Sequence, residues 1–354
     1  MLSVGGLRAY IPLIDEKVSE VIDEFADSLQ GQSSPQNAWA LEAIREYCLR
    51  PGKHIRGSLA AATYDHLKGN EKASSEAVLL AVVVELMHNY LLIVDDVMDQ
   101  SPLRRGLPTM HRLYRREYPD SSHNEADMMG INIGLIVQHL AGMTMAKLRD
   151  DGSAGTLEAV MHRNIAITGF GQMDDVYQTA TRRTKPADII TKYQKKSSYY
   201  TFVNPLECAY ALAGKYSDIV ASDCTRYGMP AGVAFQLRDD YVGIFGDSDA
   251  SGKENLDDIH EGKYTMLVAE ALHATGGQNH EQLTSILGDN NATRKDLERV
   301  KEIMVQSGAV EAVSRRTDEL VQEAVDAARS ATVWDQDFGE FLAELVLYSV
   351  RRDS

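Results

Sequence analysis

The stretch Leu91-Leu92-Ile93-Val94-Asp95-Asp96-Val97-Met98-Asp99, followed shortly by Arg104-Arg105-Gly106, decides how the rest of the chain is read. Residues 72–99 are apolar at helical spacing, so the aspartates arrive at the C-terminal end of a long buried helix. Residues four apart on a helix lie about 40° apart around the axis and about 6 Å along it. Asp95 and Asp99 therefore point the same way, with Asp96 beside them. Three carboxylates crowded there repel one another and oppose the C-terminal dipole, so something cationic should compensate them. A solvated acidic helix end is the alternative, and the apolar run before Asp95 argues against it. Oxygens at this spacing suit Mg²⁺, which takes one or two carboxylates plus phosphate oxygens and waters.

A second acidic group, Gln236-Leu237-Arg238-Asp239-Asp240, falls on another predicted helix, and metal chemistry expects it to face the first. The position four after Asp239 is Gly243, which cannot ligate; Asp247 would restore a carboxylate if the helix runs on through Gly246. The chain also supplies matching cations. Lys53 and Arg56, in Gly52-Lys53-His54-Ile55-Arg56, stand one turn apart at a predicted helix N-terminus, where backbone N–H groups already favour an anion. Arg104 and Arg105 each offer phosphate a bidentate fork. His88 lies two turns before Asp95 on the same face; a satisfied core histidine is the competing reading. Lys196 beside Ser197, then Lys253 and Lys263, would each alone read as surface residues. Together these cations suffice for two diphosphates, one bound through metal and one gripped by Lys53, Arg56 and Arg105.

Composition narrows the setting. The chain has 354 residues, 44% hydrophobic and 25% charged, enough for a sizeable core in a soluble protein. Its 9 prolines leave room for long helices. A net charge of −16 argues against nucleic acid and against a general attraction to anionic membranes. No run reads as the roughly 20 apolar residues of a membrane span. Residues 1–10 lack the pattern of a signal peptide. Cys48, Cys208 and Cys224 form neither a metal spacing nor an even disulfide set, which suits a reducing cytoplasm.

Helical periodicity predicts helices over 8–29, 37–48, 54–67, 72–99, 125–150, 154–181, 186–199, 203–213, 216–245, 262–274, 280–287, 293–307, 309–331 and 335–350. Residues 100–124 read as loop, no convincing strand is found, and no Ser/Gly/Pro-rich linker divides the chain. The expectation is one all-α domain over 1–354.

Six motifs in order carry a resemblance: Gly52-Lys53-x-x-Arg56, Asp95-Asp96-x-x-Asp99 with Arg104-Arg105-Gly106, Gly171-Gln172-x-x-Asp175, Lys196-Ser197, Phe235-Gln236-x-x-Asp239-Asp240, and Gly252-Lys253 through Glu261-Gly262-Lys263. From about residue 50 to 270 the chain resembles the trans-isoprenyl diphosphate synthases, the polyprenyl synthetase family. The resemblance implies an all-α barrel or bundle of long helices around a central cavity, usually a homodimer. It implies that Lys53, Arg56, His88 and Arg105 bind isopentenyl diphosphate. Asp95, Asp96, Asp99, Asp239 and Asp240 would be the metal group, with three Mg²⁺ ions on an allylic diphosphate (dimethylallyl, geranyl or farnesyl). Arg104, Lys196, Gln236, Lys253 and Lys263 would contact that allylic substrate, with Gln172, Asp175 and Ser197 lining the same cavity. Two positions depart from the family pattern: Ser197 replaces a threonine and keeps its hydroxyl, and Gly243 replaces the last aspartate of the second motif.

The reaction so implied breaks the allylic C–O bond, adds the double bond of isopentenyl diphosphate to the resulting cation, and passes a proton to the departing diphosphate, since no side-chain base is evident. Gln236, Ser197 and Tyr200 would turn their dipoles to the cation. Product length should depend on bulk below Asp95. Leu91 shares its face one turn back and Tyr90 flanks it, which resembles enzymes stopping at C20, with C15 next. A class I terpene cyclase also uses an aspartate-rich helix, and Asp239, Gly243 and Asp247 sit in the register of its second metal motif. It would not need a second anion site. A non-catalytic partner subunit would be expected to lose Asp95 or Asp99, and both are present.

Overall fold

The structure, a computed structural model, describes residues 2–29, 34–70, 73–148, 154–182, 185–246 and 256–351. Asp247 and Lys253 lie outside the described residues. Helices make up nearly all of it, and the chain packs as two compact units, the first formed by residues 1–162 and 204–220 and the second by 163–203 and 221–354.

In the first unit, α1 (Ile11–Ser28) carries a proline in its first turn and buries Ile14, Val18, Val21 and Ile22. Helix α2 (Pro35–Cys48) is capped by Ser34, whose Oγ accepts from the Asn37 N–H at 3.2 Å. Helix α3 (Ile55–Lys68) stops at Gly69, whose φ of 70° suits glycine. Helix α4 (Ser75–Met98) is the long apolar helix of the opening stretch, and it packs against α1, α3 and, later in the chain, α6 (His123–Ala146). Neighbours on several sides explain why α4 is apolar almost all round. The α3–α4 approach is close: a Cβ on Gly57 would come within 2.7 Å of the Glu85 Cγ and 2.9 Å of the Ala81 carbonyl oxygen.

Three expectations are corrected here. Residues 103–108 form an antiparallel hairpin, β1 (Leu103–Arg104) with β2 (Leu107–Pro108), pairing Leu103 with Pro108 and Arg104 with Leu107. Both turn residues have positive φ, 55° at Arg105 and 73° at Gly106, as a two-residue primed turn requires. Strands this short leave no alternating pattern to read. The segment read as loop also contains α5 (Met110–Glu117), which follows directly on Pro108 and Thr109. Finally, α4 and α6 are both long and apolar enough to cross a membrane by length and composition alone. Most of α4 is buried within its unit, as the core helix of a folded domain would be.

The second unit takes the later part of α7 (Ala154–Thr181), α8 (Pro186–Tyr193), and most of α10 (Asp218–Phe245), while α9 (Asn204–Leu212) belongs to the first unit. Helix α8 does not run on regularly to 199 as predicted. It passes into a π-helical segment, Gln194–Val203, a form that leaves no signature in hydrophobic spacing. Glycines make room for it: a Cβ on Gly171 would stand 2.7 Å from the Lys196 Cα, and one on Gly232 2.6 Å from the Ser198 Cβ. The short α11 (Asp257–His260) follows, then α12 (Met266–Ala274), α13 (Gly277–Ile286), α14 (Arg294–Gln306), α15 (Ala309–Ser330) and α16 (Gln336–Val350). Ile189, Leu237, Ile259, Leu267, Val300 and Ile303 are among the side chains of its core.

Candidate active-site residues

The last turn of α4 sorts its aspartates by burial. Asp95 and Asp99, four apart, are half-buried and share a face, while Asp96 is fully buried. Both Asp96 oxygens are taken: Oδ1 accepts from the Arg104 Nε at 2.8 Å, and Oδ2 from the Tyr47 hydroxyl at 2.6 Å. In this structure the two oxygens of Asp96, expected as one of the metal group, serve Arg104 and Tyr47. Arg104 also reaches Asp95, Nη2 to Oδ2 at 3.7 Å, so one guanidinium spans the two neighbouring carboxylates. Burial alone would lower the Arg104 charge, but Asp96, Tyr47 and Asp95 outweigh it and hold the guanidinium firmly protonated.

The hairpin that carries Arg104 and Arg105 is pinned by Arg50, a residue the sequence did not single out. Arg50 is buried, donates to the carbonyls of Arg104 at 3.2 Å and Pro108 at 2.7 Å, and stacks over the Tyr47 ring at 4.5 Å. Arg105 answers with a bond to the Arg50 carbonyl at 2.8 Å, and its guanidinium lies close over Gly52, where a Cβ would stand 3.0 Å from its Cζ.

Around Arg105 the first unit gathers positive charge. Lys53 is exposed just before α3, and Arg56 is half-buried in its first turn. His88 is buried; burial first, then Arg56, Arg105, Arg104 and His54, push its ring well below the ordinary histidine value, so it is neutral at pH 7. A neutral imidazole among guanidiniums can donate an N–H to an anion without adding to the crowding. His54, between Lys53 and Arg56, takes a left-handed backbone with φ 41° and is held from both ring nitrogens, Nδ1 to Glu85 at 2.9 Å and Nε2 to Asp15 at 3.3 Å. Glu85, buried in α4, also accepts from the Gly57 N–H at 2.8 Å. This carboxylate escaped the sequence reading, since a lone Glu in an apolar helix gives no sign of what it touches. Lower on α4, Tyr90 is half-buried with its ring against Gly134 of α6, and Leu91 is half-buried beside it.

In the second unit, the π segment brings Lys196 onto Asp175 at 2.6 Å, where Lys192 also binds at 2.8 Å. Burial raises the Asp175 carboxyl, but the two ammonium groups outweigh it and hold it well below the carboxylate range. Gln172, one turn earlier on α7, is half-buried, and its shielded Nε2 meets no acceptor among the described residues. Ser197 donates to the Gln236 Oε1 at 2.6 Å, and Gln236 passes an N–H to the Asp240 Oδ1 at 2.9 Å. Tyr193 closes the chain by donating to the other Asp240 oxygen. Asp240, expected as one of the metal group, is thus buried and hydrogen-bonded through both oxygens, and burial pushes its carboxyl up to about 6. Asp239 is exposed on α10. Lys263 pairs with Glu261 at 2.7 Å and lies 3.5 Å from Asp258.

No group of three or more His, Cys, Asp or Glu side chains forms a ready-made metal cage among the described residues. In the first unit the two carboxylates at 95 and 99 fit a hard cation completed by substrate; in the second unit, taken by itself, Asp239 offers one exposed carboxylate of the same kind.

Comparison with known proteins agrees with this chemistry. Residues 37–304 match the family model for polyprenyl synthetase. A geranylgeranyl diphosphate synthase of Saccharolobus solfataricus is 31% identical over 260 residues, covering 72% of each chain. A geranylfarnesyl diphosphate synthase of Aeropyrum pernix is 28% identical over 344 residues, covering 96% of this chain and 99% of its own. A crystal structure of geranylgeranyl pyrophosphate synthase from Corynebacterium glutamicum, complexed with isoprenyl diphosphate and magnesium, superposes with a TM-score of 0.85 at 24% identity over 97% of this chain and 98% of its own. A Trypanosoma brucei farnesyl diphosphate synthase reaches 0.84 at 18% identity over 98% of this chain and 100% of its own. The fold of these structures is therefore the all-α isoprenoid synthase fold of this chain. With its aspartate pair, hairpin arginines and α3 cations set out in that fold, the chain belongs to the polyprenyl synthetase family and is a prenyltransferase.

Proposed function

We propose that this enzyme condenses isopentenyl diphosphate with an allylic diphosphate in a Mg²⁺-dependent, head-to-tail reaction, giving a short-chain trans-prenyl diphosphate: C20 geranylgeranyl diphosphate, with C15 farnesyl diphosphate next. One observation carries the reading. The first unit holds Arg56, Arg105 and Arg104 around a neutral His88, with Lys53 exposed just before α3, in addition to the carboxylates Asp95 and Asp99. A cyclase working on one diphosphate would have no use for that second, metal-free anion site.

Each residue then has a task. Lys53, Arg56 and Arg105 bind the diphosphate of isopentenyl diphosphate, and His88 donates to it. Asp95 and Asp99 in the first unit, and Asp239 in the second, would hold Mg²⁺, with three ions expected; when bound, the metal would supply positive charge that favours departure of the allylic diphosphate. Arg104 is presented by Asp96 and Tyr47. Asp175 orients Lys196, and Ser197, Gln236, Asp240 and Tyr193 fix one another. The apolar wall of α4 excludes water that would capture the cation. No residue is assigned as base, and the proton lost at the new bond leaves with the released diphosphate.

The test is product analysis with isopentenyl diphosphate and each allylic starter, with and without EDTA. Elongation to C20 that EDTA abolishes supports the reading; release of hydrocarbon from a preformed diphosphate means a cyclase. In the same assay Tyr90→Ala is expected to lengthen the product, because the ring packed on Gly134 then no longer limits chain growth below Asp95. An unchanged product refutes that assignment.

A homodimer is proposed as well. Met128, Ile131, Leu135 and Met143 expose an apolar stripe on α6, with Met128 at 55% and Leu135 at 43%. Leu135→Glu is expected to shift sedimentation from a dimer toward the 39.1 kDa chain, and a monomeric wild type overturns the assignment.

A further inference from the structure

Gly243 stands where a side chain four residues after Asp239 would share the Asp239 face of α10. The space that side chain would take is filled by another residue. The Asp258 Oδ2, delivered by α11, lies inside the volume of a Cβ on Gly243, and its Cγ is 3.4 Å from that point. The other Asp258 oxygen lies 3.5 Å from the Lys263 ammonium. A carboxylate thus sits one turn along from Asp239, on the same side of the helix, although α10 itself encodes none there.

We propose that Asp258 supplies, from outside the helix, the carboxylate that Gly243 lacks, so that Asp239 and Asp258 together serve the metal of the second acidic cluster. The inference rests on the metal reading given above for Asp239. The missing aspartate is then an exchange of position: the absence of a Cβ at 243 is what admits the oxygen from α11. Lys263 is a positioning residue for this carboxylate. Direct ligation and ligation through a metal-bound water are both served by a carboxylate at this place, and each predicts loss of affinity when its charge is removed.

The two positions should therefore trade. Mn²⁺ binding to the full chain, followed by electron paramagnetic resonance in the presence of inorganic diphosphate, reads metal affinity without turnover. Asp258→Asn is expected to weaken one class of Mn²⁺ sites by about 10-fold or more. Gly243→Asp alone should lower the melting temperature, because the new side chain meets the Asp258 carboxylate. The double variant Gly243→Asp with Asp258→Ala should recover both the melting temperature and the Mn²⁺ affinity, a rescue that a merely structural Asp258 would not produce. Wild-type Mn²⁺ affinity in Asp258→Asn, or a Gly243→Asp protein that melts normally, overturns the proposal. Asp239→Asn separates the two levels: if it leaves every Mn²⁺ site intact, the metal reading of the cluster falls, and this inference falls with it.

Discussion

Asp95→Ala is expected to lower kcat by about 10³-fold, near the upper end for loss of a single electrostatic stabiliser, while leaving the melting temperature within a few degrees of wild type. The reason lies in where the last turn of α4 puts its charges. The Asp95 side chain is 22% exposed and lies 3.7 Å from Arg104. Arg104 keeps Asp96, which is the closer carboxylate and the one its Nε addresses. What disappears is one of two oxygens set on a single face for a cation completed by substrate. Asp99 alone would still attract metal, but without its partner the charge meeting a departing diphosphate is no longer fixed in place, and the loss should fall on kcat more than on KM. Single-turnover product formation at saturating substrate checks this. Asp96→Asn makes the contrast, since it should cost stability as well as rate by loosening Arg104 and Tyr47 from a buried site. An Asp95→Ala enzyme within about tenfold of wild type would remove the aspartate pair from the mechanism.

The adjacent pair Asp95 and Asp96 also shows what a sequence can and cannot tell. That α4 is a long helix bearing carboxylates at its end was legible, because an apolar run followed by Asp-Asp-x-x-Asp fixes both period and position. Which carboxylate faces outward was not, because burial depends on Tyr47 and Arg104, which approach from other elements. Asp240 repeats the lesson: its neighbour Asp239 is exposed, yet Tyr193 and Gln236 occupy Asp240. The cations at 53, 56, 104 and 105 were legible as residue types. Their presentation was not, because it depends on a hairpin too short to show a period and on Arg50, whose role is to hold backbone carbonyls. The π segment escaped for a related reason. Hydrophobic spacing over 186–203 reports a helix, and only the glycines at 171 and 232, distant in sequence, record that its backbone bulges against them. Gly243 was read as a missing ligand, whereas its lack of a side chain is what leaves room for Asp258.

Glu85→Ala should produce the largest loss of stability, about 3–5 kcal/mol, the usual cost of removing one member of a buried ion pair. Glu85 is 1% exposed and serves three groups at once: the His54 ring at 2.9 Å, the Gly57 N–H at 2.8 Å, and the charge of Arg56. Alanine leaves a buried imidazole and a buried amide without their acceptor, at the point where His54 holds a left-handed backbone between Lys53 and Arg56. The pH dependence follows from the two shifts. Burial lowers the His54 value, but Glu85 outweighs it and raises the ring above its ordinary 6.5; this contribution is complete below about 6.5 and fades as pH rises through the raised value. Burial raises Glu85, but His54 and the Gly57 amide outweigh it and lower the carboxyl; this contribution is complete above about 4.5 and fades as pH falls. The gap between wild type and Glu85→Ala should therefore be widest between about pH 4.5 and 6.5 and narrow toward alkaline pH. The chain has two tryptophans, Trp39 in the first unit and Trp334 in the second, so a Trp334→Phe background lets urea titration report the unit that contains Glu85. Because Arg56 and Lys53 flank His54, the same variant should raise KM for isopentenyl diphosphate more than for the allylic substrate. A stability gap below about 1 kcal/mol, or one that does not change with pH, would mean that the His54–Glu85 pair does not set the entry to α3.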